Sequence, residues 1–222
     1  MEILNIAIMD DNKSKIDTID ILFMQQSDET SKVYDSRYCD YKLNLCPISV
    51  EKTSEEIIEE IIEKNLDAVI VDYDFTSFAV TTNNGIVIAN KIKEKFSEFP
   101  LFILTAFEDR LFQHETFDAY QVYNYDNYIN NEDATKEFHS RIIEQILKSK
   151  KQIKRWEQEL IELKRIPFER LNAELTAKII DLDNKIEKSI DGHSSISPKT
   201  KQDLFSGGIQ KLLEQADKLL EE

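Results

Sequence analysis

Three short apolar runs, each stopping on a polar residue, constrain this chain most. Ile3 to Met9 stops at Asp10-Asp11, Ala68 to Val71 at Asp72-Tyr73-Asp74, and Leu101 to Leu104 at Thr105. Runs of this length, rich in Ile, Val and Leu, are too short for a buried helix and read as strands buried on both faces. Helical periodicity fills the gaps: Ile16, Ile19, Leu22 and Phe23 after Asn12 as a cap, Ile57, Ile58, Ile61 and Ile62 after a Thr53/Glu56 capping box, and Ile86 to Phe96 after Gly85. A weaker strand is predicted around Leu43 to Val50, and a short fifth one at Tyr128-Ile129. Strands alternating with amphipathic helices predict an α/β fold, a five-stranded doubly wound parallel sheet over residues 1–134.

After Asp133 only helical patterns remain. Ile142, Ile146, Ser149, Ile153, Trp156, Leu160 and Leu163 follow alternating spacings of four and three, a heptad seam. Pro167 ends it, Leu171 to Ile190 marks a second amphipathic helix, Asp191 to Ser197 breaks the pattern, and Ser197-Pro198 restarts a helix. Residues 135–222 are therefore expected to be all-α: a long linking helix, the last of the α/β domain, that starts near 135 and leads into a helical hairpin or coiled-coil module. The pattern leaves open whether these helices pair within one chain or between two.

The net charge of −15 divides along the same line, with 11 basic and 27 acidic groups in residues 1–134 (−16) and 17 and 16 in residues 135–222 (+1). So acidic a surface repels nucleic acid and anionic lipid. Lys148, Lys150, Lys151, Lys154 and Arg155 form a basic cluster with no helix-turn-helix pattern beside it; it reads as a solvated helix face or, more sharply, as one that docks on the acidic first part of the chain or on an acidic protein partner. No apolar run reaches a membrane-spanning length, and MEILNIAIMDDN lacks the features of a signal peptide, which predicts a cytoplasmic protein. Cys39 and Cys46 have no metal-ligand spacing and are expected to be ordinary thiols; His114, His139 and His193 are scattered and suggest no triad.

In an open parallel sheet, ligands bind outside the carboxyl ends of the strands. Here those ends carry Asp10, Asp11, Asp72 and Thr105. Carboxylates gathered in one crevice repel each other unless a hard cation lies between them, and Mg2+ with its preference for oxygen ligands meets that demand. A carboxylate beside such a cation can act as nucleophile in phosphoryl transfer.

On these residues the chain, from residue 3 to about 147, resembles the receiver domain of two-component response regulators. The matching features are the acidic pair in IMDDN, the strand-terminal Asp72, Thr105-Ala106 in LFILTAF, Asn84-Gly85, and Tyr128 where the family has a fifth-strand switch aromatic. The resemblance implies a flavodoxin-like receiver fold, with Asp72 as phosphoacceptor and Thr105 contacting the phosphoryl group. It implies Mg2+ ligated by Asp11 and Asp72, with Asp10 acting mainly through water and Asp74 offering its backbone carbonyl. The family's lysine, three residues after the aromatic, falls on Asn131, and no Lys lies between Lys95 and Lys136. The loop from Asp72 to Gly85 is longer than usual for the family, and no Pro follows Asp74.

The function this implies is response-regulator-like signalling, in which a histidine kinase or other phosphodonor modifies Asp72 and the C-terminal helices change dimerisation or docking to a downstream protein. No catalytic turnover is expected beyond self-phosphorylation and dephosphorylation. A phosphate-independent pseudo-receiver acting as an adaptor is the alternative. A more distant reading takes Ile70 to Thr76 as the first motif of haloacid dehalogenase-type phosphatases, with Asp72 as nucleophile and Asp74 as acid/base, but the later lysine and downstream acidic pair of that family are missing.

Overall fold

The computed structural model describes residues 1–73, 85–96, 98–106, 121–167, 170–190 and 196–203. Two compact units result, one formed by Met1–Glu94 and Glu98–Lys150, the other by Lys95–Ser97 and Lys151–Glu222.

In the first unit the chain runs through β1 (Glu2–Met9), α1 (Lys13–Gln26), β2 (Tyr41–Pro47), α2 (Ser54–Glu63), β3 (Ala68–Val71), α3 (Gly85–Lys95), β4 (Leu101–Thr105), β5 (Val122–Asn124), α4 (Tyr125–Asn130) and the first half of α5 (Glu132–Lys164). The five strands are all parallel, in the order β2-β1-β3-β4-β5. This is the flavodoxin-like order of doubly wound sheets, whose ligands lie at the carboxyl ends of the central strands. Both strong cap signals form: Asn12 Oδ1 accepts from the Ser14 and Lys15 amides, and Thr53 and Glu56 close a reciprocal capping box.

The core explains why β1, β3 and β4 are so apolar. Ile6, Ile8, Ala68, Ile70, Phe102 and Leu104 share one buried face of the sheet, where Phe138, Ile142, Ile143 and Ile146 of α5 complete the same cluster, and the residues that alternate with them, Ala7, Met9, Val69, Val71, Leu101 and Ile103, are buried as well. The first half of α5 is thus part of the α/β unit, which extends to Lys150, past the charge boundary near residue 134. Lys150, from the basic cluster, ion-pairs with Glu2 (2.9 Å) and Asp67 (2.8 Å) of the acidic domain.

The fifth strand differs from expectation. Tyr128-Ile129 is not a strand; it lies in α4, and β5 is the three-residue segment Val122–Asn124, paired with Ile103 to Thr105. Asn124 Oδ1 accepts from the Asn127 amide and starts α4 at once, so the apolar pair continues a helix instead of a sheet.

In the second unit, the last part of α5 packs against α6 (Ala173–Ile190), and α7 (Pro198–Asp203) follows. Leu160, Ile179 and Leu182 form its core, flanked by Trp156, Leu163, Leu171 and Ile186. The seam is therefore shared. Its first residues fill the α/β core, and its last ones build a hairpin within one chain. Leu160→Ala should destabilise this second unit by about 2 to 3 kcal/mol. Denaturation followed by Trp156 fluorescence checks this, and an unchanged midpoint would remove Leu160 from the packing. No helix among the described residues is long and apolar enough to cross a membrane, and Cys39 and Cys46 are free thiols.

Candidate functional site

The register of the sheet assembles the acidic residues. Met9 pairs with Val71, and the Asp72 amide donates to Met9 O at 2.9 Å, which brings the residues after β1 and β3 side by side. Asp10 and Asp72 are buried, Asp11 is half-buried, and one carboxylate oxygen from each lies within 4.8 Å of the others. Asp10 Oδ1 accepts from the Asn12 amide at 2.7 Å, so the residue that caps α1 also fixes the Asp10 carboxylate. Thr105 ends β4 wholly buried, in register with Asn124.

Gly85 is part of this construction. A Cβ there would overlap the Asp72 carbonyl oxygen, come within 2.9 Å of its carbon and meet Val71 Cγ1 at 3.0 Å. Only glycine lets the start of α3 approach the Asp72 backbone this closely.

One residue that sequence reasoning passed over dominates the electrostatics. Lys15, in the first turn of α1, places Nζ 2.8 Å from Asp72 Oδ2 and 3.6 Å from Asp10 Oδ2, and its side chain is only 22% exposed. Its ammonium also sits 5.2 Å from the centroid of the Tyr125 ring, within cation–π range. The available signal was position: a lysine in the turn that directly follows a strand-terminal acidic pair lies at the strands' carboxyl end. Burial alone would lower the Lys15 pKa, but the hydrogen bond to Asp72 and the charges of Asp72 and Asp10 outweigh it and raise the pKa. The Asp10 carboxyl is pushed up to about 6, chiefly by burial; the Asn12 amide opposes this, the charge of Asp72 reinforces it, and Lys15 counteracts it.

Lys15 thus brings one ammonium to three clustered carboxyl groups in a largely buried crevice. Three oxygen donors at this spacing suit a hard divalent cation such as Mg2+.

Two expected site residues are elsewhere. Tyr128 is not at the end of a strand: it is 1% exposed in the core, edge-on to Phe138, with its hydroxyl 3.0 Å from His139 Nε2. Asn131 does not stand in for a lysine: its Oδ1 accepts from the Asp133 amide at 3.0 Å and the Ala134 amide at 3.4 Å, capping α5. Both corrections follow from β5 ending at Asn124. Asp74, expected as a ligand and required as acid/base by the phosphatase reading, lies outside the described residues, as do Asn84, His114 and His193.

No protein-family model matches the chain, and no curated protein sequence does. Among solved structures it is similar to the anti-anti-sigma factor PhyR from Bartonella quintana, at 17% identity and a TM-score of 0.44 over 70% of this chain and 51% of that one. A fusion carrying the trimeric coiled coil of yeast Spc42 gives 19% identity and 0.40 over 72% of this chain and 96% of its own. The constitutive lysine decarboxylase of E. coli gives 16% and 0.38 over 78% and 21%. The chain thus spans about half the length of PhyR. The strand order gives its first unit a flavodoxin-like doubly wound fold.

Proposed function

We propose that this protein is a receiver-like signalling module in which Asp72 accepts a phosphoryl group. The observation that carries this reading is the convergence of Asp10, Asp11 and Asp72 on one point at the carboxyl ends of β1 and β3. An Asp72 carboxylate oxygen attacks the phosphorus of a phosphohistidine on a kinase or another phosphodonor protein. The P–N bond breaks, the imidazole keeps the electron pair and takes up a proton, and an acyl phosphate results. Asp10, Asp11 and Asp72 would hold Mg2+, which when bound neutralises charge on the phosphoryl oxygens. The Thr105 hydroxyl donates to one of those oxygens.

Phosphorylation adds roughly one negative charge beside buried groups, and the response proposed for it is a shift of α4, whose first residue Tyr125 lies against Lys15. The output is a change in protein contacts, either docking of a downstream protein or self-association through the C-terminal helices. Exposed Ile161 and Ile190 are compatible with such contacts.

A second reading, a phosphate-independent adaptor, is favoured by one observation: the end of β5 offers the neutral Asn124, whose side chain caps α4. Titration with Mg2+ and beryllofluoride separates the two. Wild type is expected to show a saturable spectral change that Asp72→Asn abolishes. A flat response in wild type would sink the phosphate-dependent reading and leave the adaptor.

A further inference from the structure

We infer that Lys15 supplies, from α1, the positive charge that a phosphoryl group on Asp72 needs; this rests on the phosphoacceptor reading above. Among the described residues Lys15 is the one cation ion-paired with Asp72, and the pair joins residues 57 apart in sequence. The strand end that faces Thr105 is committed elsewhere, since the Asn124 side chain caps α4 and carries no charge. Lys15 is held in place from two sides, by the Asp72 and Asp10 carboxylates and by the Tyr125 ring. A group added to Asp72 arrives next to an ammonium already bonded to one oxygen of that carboxylate.

The same position has two opposed consequences. The ammonium repels a divalent cation drawn to Asp10, Asp11 and Asp72, so it weakens metal binding. It also attracts the phosphoryl oxygens, so it favours the charge-rich transition state and the acyl phosphate. A residue that only props up the site would alter both properties in the same direction. Lys15 should alter them in opposite directions.

Acetyl phosphate is a suitable donor. The oxygen of Asp72 not held by Lys15 attacks phosphorus, the bond from phosphorus to the acetate oxygen breaks, and acetate leaves with the electron pair. One carboxylate is consumed and one released, so no proton is required.

The test uses the full chain as wild type, Lys15→Gln, Lys15→Arg and Asp72→Asn. Calorimetry measures Mg2+ affinity, intact-mass spectrometry measures phosphorylation by acetyl phosphate at saturating Mg2+, and thermal melting verifies folding. Lys15→Gln is expected to bind Mg2+ about 5-fold more tightly, from the loss of one repelling charge. Its phosphorylation is expected to slow by at least about 10-fold, as when one stabilising donor is removed. Lys15→Arg, which keeps the charge, should stay close to wild type in rate. Phosphorylation of Lys15→Gln at the wild-type rate would overturn the inference while leaving Asp72 as acceptor. A joint fall in metal affinity and rate would also overturn it, by assigning Lys15 a structural role. If wild type takes up no phosphate, or Asp72→Asn is labelled equally, the phosphoacceptor reading itself falls, and the inference with it.

Discussion

Gly85→Ala is expected to destabilise the α/β unit by roughly 3 kcal/mol or more, at the upper end of the usual cost of overpacking. The added methyl group would occupy the position of the Asp72 carbonyl oxygen and press on Val71 Cγ1. Backbone cannot swing aside as a long side chain can, so either α3 moves off the sheet or the end of β3 shifts. Asp72 is the residue displaced in the second case, and its 2.8 Å bond to Lys15 and its place beside Asp10 and Asp11 go with it. Stability and ligand response should therefore fall together. Denaturant unfolding gives the first, and the Mg2+ and beryllofluoride titration on the folded fraction gives the second. A variant within about 0.5 kcal/mol of wild type, the usual range for inert surface changes, would show that the close approach does not constrain the site.

His139 should make the unit acid-sensitive. It is buried in α5 against Phe23 and Tyr128, its Nε2 meets the Tyr128 hydroxyl, and burial pushes its pKa down to about 3 from the usual 6.5. The unfolded chain takes up a proton on His139 below pH 6.5, whereas the folded chain resists until about pH 3. The stabilisation due to the neutral imidazole is thus complete above pH 6.5 and lost as pH falls, at about 1.4 kcal/mol per unit, for a total of roughly 4 to 5 kcal/mol.

Asp10 acts in the opposite sense. Its folded pKa of about 6 lies above the unfolded 3.8, so its contribution is fully present below pH 3.8 and is lost as pH rises through 6. The two contributions oppose each other across much of this window, so the wild-type slope alone does not isolate His139. Comparison with His139→Gln does, because glutamine stays neutral and Asp10 is common to both. The stability difference between the two proteins should shift in favour of the variant by about 1.4 kcal/mol per unit between pH 6 and pH 4. A difference that stays constant from pH 7 to pH 4 would mean that His139 protonates without cost in the fold.

The α/β architecture was legible because burial is written into local composition. Ile6 to Met9, Ala68 to Val71 and Leu101 to Leu104 are apolar and buried on both faces, a pattern that satisfies the middle of a covered parallel sheet and little else. Caps were legible for the same reason, since Asn12 and the Thr53/Glu56 pair act on amides two or three residues away. The fifth strand was not. Val122–Asn124 is three residues long and only half-buried, whereas Tyr128-Ile129 looked more strand-like yet belongs to a helix begun by Asn124. Placing the strand there carried Tyr128 and Asn131 to a site that neither joins.

The seam in α5 shows the same limit. Alternating spacings of three and four identify an apolar stripe but not what covers it. Ile142 and Ile146 meet the sheet-side core, while Leu160 meets Ile179 and Leu182. The sequence by itself determined which strands form, where they end and that their ends are acidic, because these depend on periodicity and on neighbours a few residues apart. Tertiary structure alone decided the charge balance of the site. Lys15 and Asp72 meet only once β1 and β3 pair in register and α1 folds back over their ends, and a Coulomb interaction depends on that distance in space, not on separation along the chain.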